Sequence, residues 1–351
     1  MLEIKGRRVA LVGGAGFIGH NLALELKKLG AEVCIIDGLQ VNNLLAFSST
    51  DEDIANRNLY LSILNERQEL LRKADIPVYI QDARDYHGLS HVMATIRPQT
   101  VVHLAAVSHA NRSNKTPHST FDHSFRTLEN VLDISRGGNV GVEHFVYFSS
   151  SMIYGNFDND FVTEETPCEP IGIYGALKFG GEKLVIAYNQ VFDMPYTIIR
   201  PSALYGERCV SRRVGQIFIE NAIKGVDITI AGDGSDRLDF TYIQDMVNGM
   251  VKVIENENSH NQTFNLTYGG SRTLKEMAEY ITAEFPDVTI KYVPKDRLMP
   301  DRGTLSVDKA RELIGYEPEW PLDKGFKRYI EWYKSLPSEL TKDGNMPVMY
   351  G

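Results

Sequence analysis

The sequence predicts an α/β fold, a doubly wound parallel sheet followed by a smaller C-terminal α/β region. Three observations carry this. Short β-branched runs alternate with helix-period segments over the first part of the chain, the pattern of strand-helix-strand units around a parallel sheet. A glycine cluster follows the first apolar run and opens the first helical segment. After residue 200 the alternation weakens and short strands mix with helices, as in a second region packed on the first.

Taken in order, the strands of the first region are expected at Arg8–Val12, Glu32–Asp37, Pro77–Gln81, Thr100–His103, His144–Ser149 and Tyr196–Arg200. The helix after the first strand places Ile18, Leu22, Leu26 and Leu29 on one face, with Gly30 as its cap. Residues 41–73 are longer than a simple connection and polar, with a helical pattern over Asn65–Lys73. They read as an insertion on the rim. Beyond residue 200, strands are expected at Ile228–Ile230, Thr263–Leu266 and Thr289–Tyr292, and helices near Gly215–Lys224, Leu274–Glu284 and Asp308–Ile314.

Composition bounds the function. The 351 residues carry a net charge of -9, with 43% hydrophobic and 24% charged residues. That length can bury a sizeable core. An acidic balance argues against nucleic-acid binding, which needs clustered positive charge. The basic residues before the first apolar run resemble a signal peptide, but the run spans only about six residues and ends in glycines, so it reads as a strand. No apolar stretch reaches the roughly 20 residues a membrane helix needs. Cys34, Cys168 and Cys209 are odd in number and far apart, which points to no disulfide framework, no metal site and a reducing, cytoplasmic setting.

The stretch Gly13-Gly-Ala-Gly16-Phe17-Ile18-Gly19 lies between a strand and an amphipathic helix. Glycines there permit a tight turn and a close backbone approach to a pyrophosphate, which the helix N-terminus attracts. Asp37 ends the next strand. A carboxylate at that point bonds ribose hydroxyls and repels a 2′-phosphate, favouring NAD over NADP. After the third strand, Asp82 is placed to meet the adenine amine, with a solvated turn aspartate as the plain alternative.

Tyr174 and Lys178 stand at i and i+4, on one face of a helix. The spacing alone arises by chance about once in a chain with 17 tyrosines. Its weight comes from the strand that runs into Ser149, Ser150 and Ser151, a hydroxyl cluster where open α/β sheets bind ligands. A free phenol is only about one part in a thousand ionised at neutral pH. An adjacent ammonium and a positive nicotinamide favour its anion. Such a phenol can take a proton from a sugar hydroxyl while a serine holds the same oxygen. The bland alternatives are a surface Tyr–Lys pair and a serine-rich turn.

These residues resemble the NAD-dependent epimerase/dehydratase family over nearly the whole chain. The resemblance rests on Gly13–Gly19, His103-Leu104-Ala105-Ala106, Ser149–Gly155, Glu164–Pro167, Tyr174-x-x-x-Lys178, Arg200-Pro201-Ser202-Ala203-Leu204-Tyr205-Gly206, Ala231–Gly234, Arg237–Tyr242, Asp245 and Leu305–Ala310. It implies a Rossmann domain over residues 1–200 and about 235–266, a nucleotide-sugar-binding domain over 201–234 and 267–340, and a tail at 341–351. By position it implies NAD contacts from Gly13, Gly16, Phe17, Ile18, Gly19, Asp37, Asp82, Ala83, Leu104, Ala105, Ala106, Ser149, Tyr174, Lys178 and Pro201. Catalysis would fall to Tyr174, Lys178, Ser150 and Ser151. Ser150, Tyr174, Arg237 and Arg302 would bind the substrate, the arginines through its diphosphate. The resemblance also implies a homodimer built on helices near 117–135 and 174–189.

Three departures sharpen the expectation. Family dehydratases carry an Asp–Glu pair where this chain has Ser151 and Met152, and methionine is neither acid nor base. Many members have Asn at Ala203, and often Asn in the helix segment that here reads His123–Thr127. A packing or surface role is expected for His123. The reading that follows is a nucleotide-sugar epimerase, at C4, with UDP as the commonest nucleotide in the family. A dehydratase, a decarboxylase, a net oxidoreductase and a non-catalytic NAD sensor are the alternatives.

Overall fold

The computed structural model describes residues 2–48, 54–108, 110–157, 161–295 and 299–342. The first half runs β1 (Arg8–Val12), α1 (Phe17–Lys28), β2 (Glu32–Asp37), α2 (Leu44–Ser48), α3 (Arg57–Lys73), β3 (Val78–Ile80), α4 (Tyr86–Ile96) and β4 (Thr100–His103). Then come α5 (Ala110–Lys115), α6 (Pro117–Phe121), a π-helical turn at Asp122–Arg126, α7 (Thr127–Ser135), β5 (His144–Phe148), a 3-10 turn at Ser151–Tyr154, β6 (Phe161–Val162), α8 (Gly172–Phe192) and β7 (Tyr196–Arg200).

The remainder holds β8 (Leu204–Tyr205), α9 (Val214–Ile223), β9 (Ile228–Ala231), β10 (Arg237–Leu238), β11 (Thr241–Tyr242), α10 (Ile243–Glu255), β12 (Gln262–Asn265), β13 (Arg272–Thr273), α11 (Leu274–Glu284), β14 (Ile290–Val293), β15 (Thr304–Leu305), α12 (Asp308–Ile314), α13 (Leu322–Ser335) and α14 (Ser338–Thr341).

Seven parallel strands form the main sheet in the order β12-β7-β5-β4-β1-β2-β3. Its central strands are continuous apolar runs. Val9, Ala10, Leu11 and Val12 are all fully buried, as expected when helices cover both faces. On one face of α1, Leu22, Ala23 and Leu26 are buried against the core. The chain order reverses where β1 neighbours both β2 and β4. Ligands bind at such a switch point, outside the carboxyl ends of the strands. The doubly wound parallel sheet expected from the sequence is therefore present, and the strand expected at Thr263–Leu266 serves as its edge.

The segment after β2 is not a rim insertion. Helix α3 begins well before Asn65 and buries Leu59, Tyr60, Ile63, Leu64, Arg67 and Leu71. Those positions repeat at helical spacing, but interleaved Asn, Glu, Gln and Arg residues mask the stripe. The Glu220 carboxylate of α9 accepts hydrogen bonds from Asn56 (2.8 Å), Tyr60 (2.7 Å), Gln216 (2.8 Å) and Tyr333 (2.6 Å). Burial pushes that carboxyl upward, so the four donors are what make it tolerable in the core. The segment thereby ties the sheet to α9 and α13.

Candidate functional site

The glycine loop is built by steric necessity. Gly13 has φ +80, and a Cβ there would stand 2.6 Å from the Ala105 backbone nitrogen. A Cβ on Gly19 would collide with the Gly14 carbonyl oxygen. Only glycine lets α1 start this close beneath the loop, and this leaves room for a diphosphate at the helix N-terminus. Gly13, Gly16, Phe17, Ile18 and Gly19 all line one cleft. A dinucleotide suits this lining, which offers the opening N–H groups of α1 to a diphosphate and the Asp37 carboxylate to a ribose.

Asp37 sits in the same cleft. Its carboxylate accepts from the backbone N–H groups of Ala15 (2.9 Å) and Leu39 (2.7 Å). Burial pushes it up, and those two bonds oppose the shift. Each oxygen keeps acceptor capacity for a ribose hydroxyl. Asp82, Ala83, Leu104, Ala105 and Ala106 line the adjoining end. There the Asp82 carboxylate is already engaged, by Arg84 at 2.6 Å and Gln40 at 3.0 Å. Burial opposes its ionisation, yet these partners hold it down to about 2. His123, on the π-helical turn, bonds the Gln40 side chain at 3.0 Å and lines the same end. Gln40 and His123 join Asp82 only through the fold, so no local sequence pattern announces the network.

Tyr174 and Lys178 occupy the first turns of α8 and face the cleft. The Lys178 ammonium donates to the Phe148 carbonyl at 2.6 Å. Burial pushes it down to about 7, against the attraction of Glu182. The three serines part company. Ser149 faces the dinucleotide cleft, its hydroxyl buried without a partner among the described residues. Ser150 and Ser151 line a second cavity. Ser150 also caps the 3-10 turn, accepting from the Met152 N–H at 3.2 Å.

The two hollows share a wall formed by Ser108, Tyr174, Pro201, Leu204 and Arg213. A group bound in one is therefore presented to the other across the Tyr174 phenol. Arg302 lies in the second cavity, its guanidinium bonded to the Ser151 hydroxyl and, at 2.9 Å, to the Ser202 hydroxyl. Burial pushes it down to about 10. Arg237 does not line the cavity. It donates to the Ser271 hydroxyl (3.0 Å) and carbonyl (2.9 Å), while its neighbour Leu238 faces inward. Ala203 lines the wall without a polar group.

Sequence reasoning missed Arg212 and Arg213, which also line the second cavity. Their signal was present as a basic pair directly before α9. With Arg302 they give this cavity three guanidinium groups, and no carboxylate lies among its described lining residues. It is built for an anionic ligand.

Residues 9–267 match the model of the NAD dependent epimerase/dehydratase family. A putative UDP-glucose 4-epimerase of Methanocaldococcus jannaschii is 27% identical over 333 residues, spanning 93% of this chain and 98% of that protein. UDP-glucuronate 4-epimerase 1 of Arabidopsis thaliana is 26% identical over 361 residues, spanning 96% of this chain and 79% of the relative. Among solved structures, the UDP-glucuronic acid 4-epimerase of Bacillus cereus, in complex with UDP-glucuronic acid and NAD, superposes with a TM-score of 0.81 at 22% identity. That match covers 94% of this chain and 99% of the other.

Proposed function

The chain belongs to the NAD-dependent epimerase/dehydratase family, and from that premise we propose that it is a UDP-sugar 4-epimerase. The observation that carries the reading is the shared wall: Tyr174 borders both the dinucleotide cleft and the arginine-lined cavity. NAD is the cofactor, and when bound it supplies a reversible hydride acceptor. Residues 1–200 and about 235–266 form the cofactor domain, and 201–234 with 267–340 form the sugar-nucleotide domain.

Tyr174 takes the proton from the C4 hydroxyl of the sugar and gives it back to that same oxygen after the keto-sugar has turned, while the hydride that NAD would hold is what would return to the opposite face of C4. The serine turn holds the same oxygen as it becomes a carbonyl, through Ser150 with Ser151 beside it. Lys178, fixed by the Phe148 carbonyl, holds the cofactor's ribose and keeps a cation near the phenol. Asp37 takes the adenosine ribose, and the glycine loop takes the diphosphate. Arg302, Arg213 and Arg212 hold the substrate's anionic groups, and Arg237 orders the Ser271 loop beside them. Met152 stands where dehydratases carry a carboxylate, and methionine offers neither acid nor base to expel water.

Two expectations about the whole molecule belong to this reading. Exposed Phe121 and Ile173 lie on α6 and α8, which pack together, so a homodimer would cover an apolar face. Free thiols at Cys34, Cys168 and Cys209 suit the cytoplasm. The test incubates the protein with UDP-glucose, UDP-galactose and UDP-glucuronate and resolves products by NMR. A C4 epimer of unchanged mass, with no accumulation of NADH, is the expected outcome. Loss of water from the sugar, or stoichiometric NADH, would replace it with a dehydratase or a net oxidoreductase.

A further inference from the structure

Helix α3 carries a charged side chain that neither the glycine fingerprint nor the proton relay uses. Arg67 is only 1% exposed. Its Nε and Nη2 both donate to the Arg208 carbonyl, the former at 2.9 Å. Its Nη1 is buried with no partner among the described residues. An unsatisfied nitrogen on a buried cation is costly, and burial pushes the group down to about 10. The nearby Asp37 attracts it, yet no hydrogen bond joins the two among the described residues.

The side chain borders the dinucleotide cleft, together with Gly16, Phe17 and Ile18 at the start of α1. We propose that Arg67 is a ligand of the cofactor's diphosphate through Nη1, its one nitrogen without a partner among the described residues. The assignment rests on the reading of this cleft as the NAD site. A guanidinium and a helix N-terminus both select an anion, and between them a diphosphate satisfies both at once. The arginine also offsets the negative charge of Asp37, which lines the same cleft. Because α3 is clamped by Glu220 and by the Arg208 carbonyl, the ligand is positioned by the second region of the molecule.

The test is calorimetric titration of nucleotide-free protein with NAD, ADP and adenosine, for the wild type, Arg67→Met, Arg67→Lys and Glu66→Ala. Arg67→Met should weaken NAD and ADP about 10- to 100-fold and leave adenosine unchanged. Arg67→Lys keeps the charge without the planar fork and should lower the ratio of ADP to adenosine affinity severalfold. It reads the same contact if the methionine variant fails to fold. Glu66→Ala breaks the neighbouring pair with Arg208 and should leave all three affinities in place. Equal losses for adenosine and ADP, or an ADP loss in Glu66→Ala, would assign Arg67 a merely structural role and overturn the proposal. A loss confined to NADP in a parallel titration would do the same, moving the arginine to the 2′ position. Wild-type protein that binds no NAD overturns the cofactor reading as well; unchanged Arg67 variants of an NAD-binding wild type overturn this assignment alone.

Discussion

The dinucleotide cleft and the arginine-lined cavity share a wall, but they are assembled on opposite principles. The first is mostly backbone. Its glycines, helix start and Asp37 lie in one strand-helix-strand unit, and the Ala15–Asp37 bond spans 22 positions. The second is mostly side chain. Arg302 meets Ser202 across 100 positions and Ser151 across 151. A site made of backbone demands particular residue types in a fixed spacing, because only those conformations fit. A site made of side chains demands only that the fold deliver the right functional groups.

This contrast predicts what each kind of damage does. Tyr174→Phe removes a single oxygen from the shared wall. Turnover should fall about 10²- to 10⁴-fold, the range for losing a general acid-base, while NAD titrates as before. Retained turnover would move the proton relay elsewhere. Gly19→Ala strikes the backbone instead. Its new methyl meets the Gly14 carbonyl oxygen, so α1 must shift. NAD affinity should drop about 10-fold or more, and overpacking should cost about 1–3 kcal/mol in stability. A variant with wild-type melting and NAD binding would show that the loop has slack, and the contrast would weaken.

Arg302→Met probes the side-chain region alone. Removing one charged donor from the cavity should raise KM for the nucleotide-sugar about tenfold, with NAD affinity unchanged. A fall in kcat at constant KM would place this guanidinium at the reacting carbon and not at the anion.

The same contrast explains what was legible in the sequence. Strands β1, β2, β4 and β7 were readable to the residue, because central parallel strands are unbroken β-branched runs. Gly13–Gly19 and Asp37 were readable because steric exclusion leaves few alternatives. Helix α3 was largely missed, since its buried stripe includes a tyrosine and an arginine among polar neighbours. Arg212 and Arg213 were missed because a basic pair carries no information about the cavity it will face. The split of Ser149 from Ser150 and Ser151 follows from strand β5 ending at Phe148, after which the chain turns away from the cleft. Side-chain direction past a strand end is a property of that turn, invisible in a run of identical residues.

A further effect is expected one turn from the shared wall, at Lys178 in the dinucleotide cleft. In the folded, nucleotide-free protein, burial pushes Lys178 down to about 7, whereas the unfolded chain holds that proton to about pH 10. Above pH 7 the unfolded state therefore binds more protons, so stability rises with pH. Below pH 7 the lysine is charged in both states and the folded form bears the full desolvation penalty. The slope from one proton is at most about 1.4 kcal/mol per pH unit. Denaturant unfolding between pH 7 and 8.5 should show this rise in the wild type and lose it in Lys178→Met. Burial of Cys34, pushed up to about 12, tilts stability the other way once the unfolded thiol ionises near pH 8.5, at the upper edge of the window and equally in both proteins. Equal slopes in both proteins would mean that Lys178 keeps its proton when buried. The Phe148 carbonyl and Glu182 would then outweigh desolvation, and the cation beside Tyr174 would be permanent, with no dependence on the cofactor's arrival.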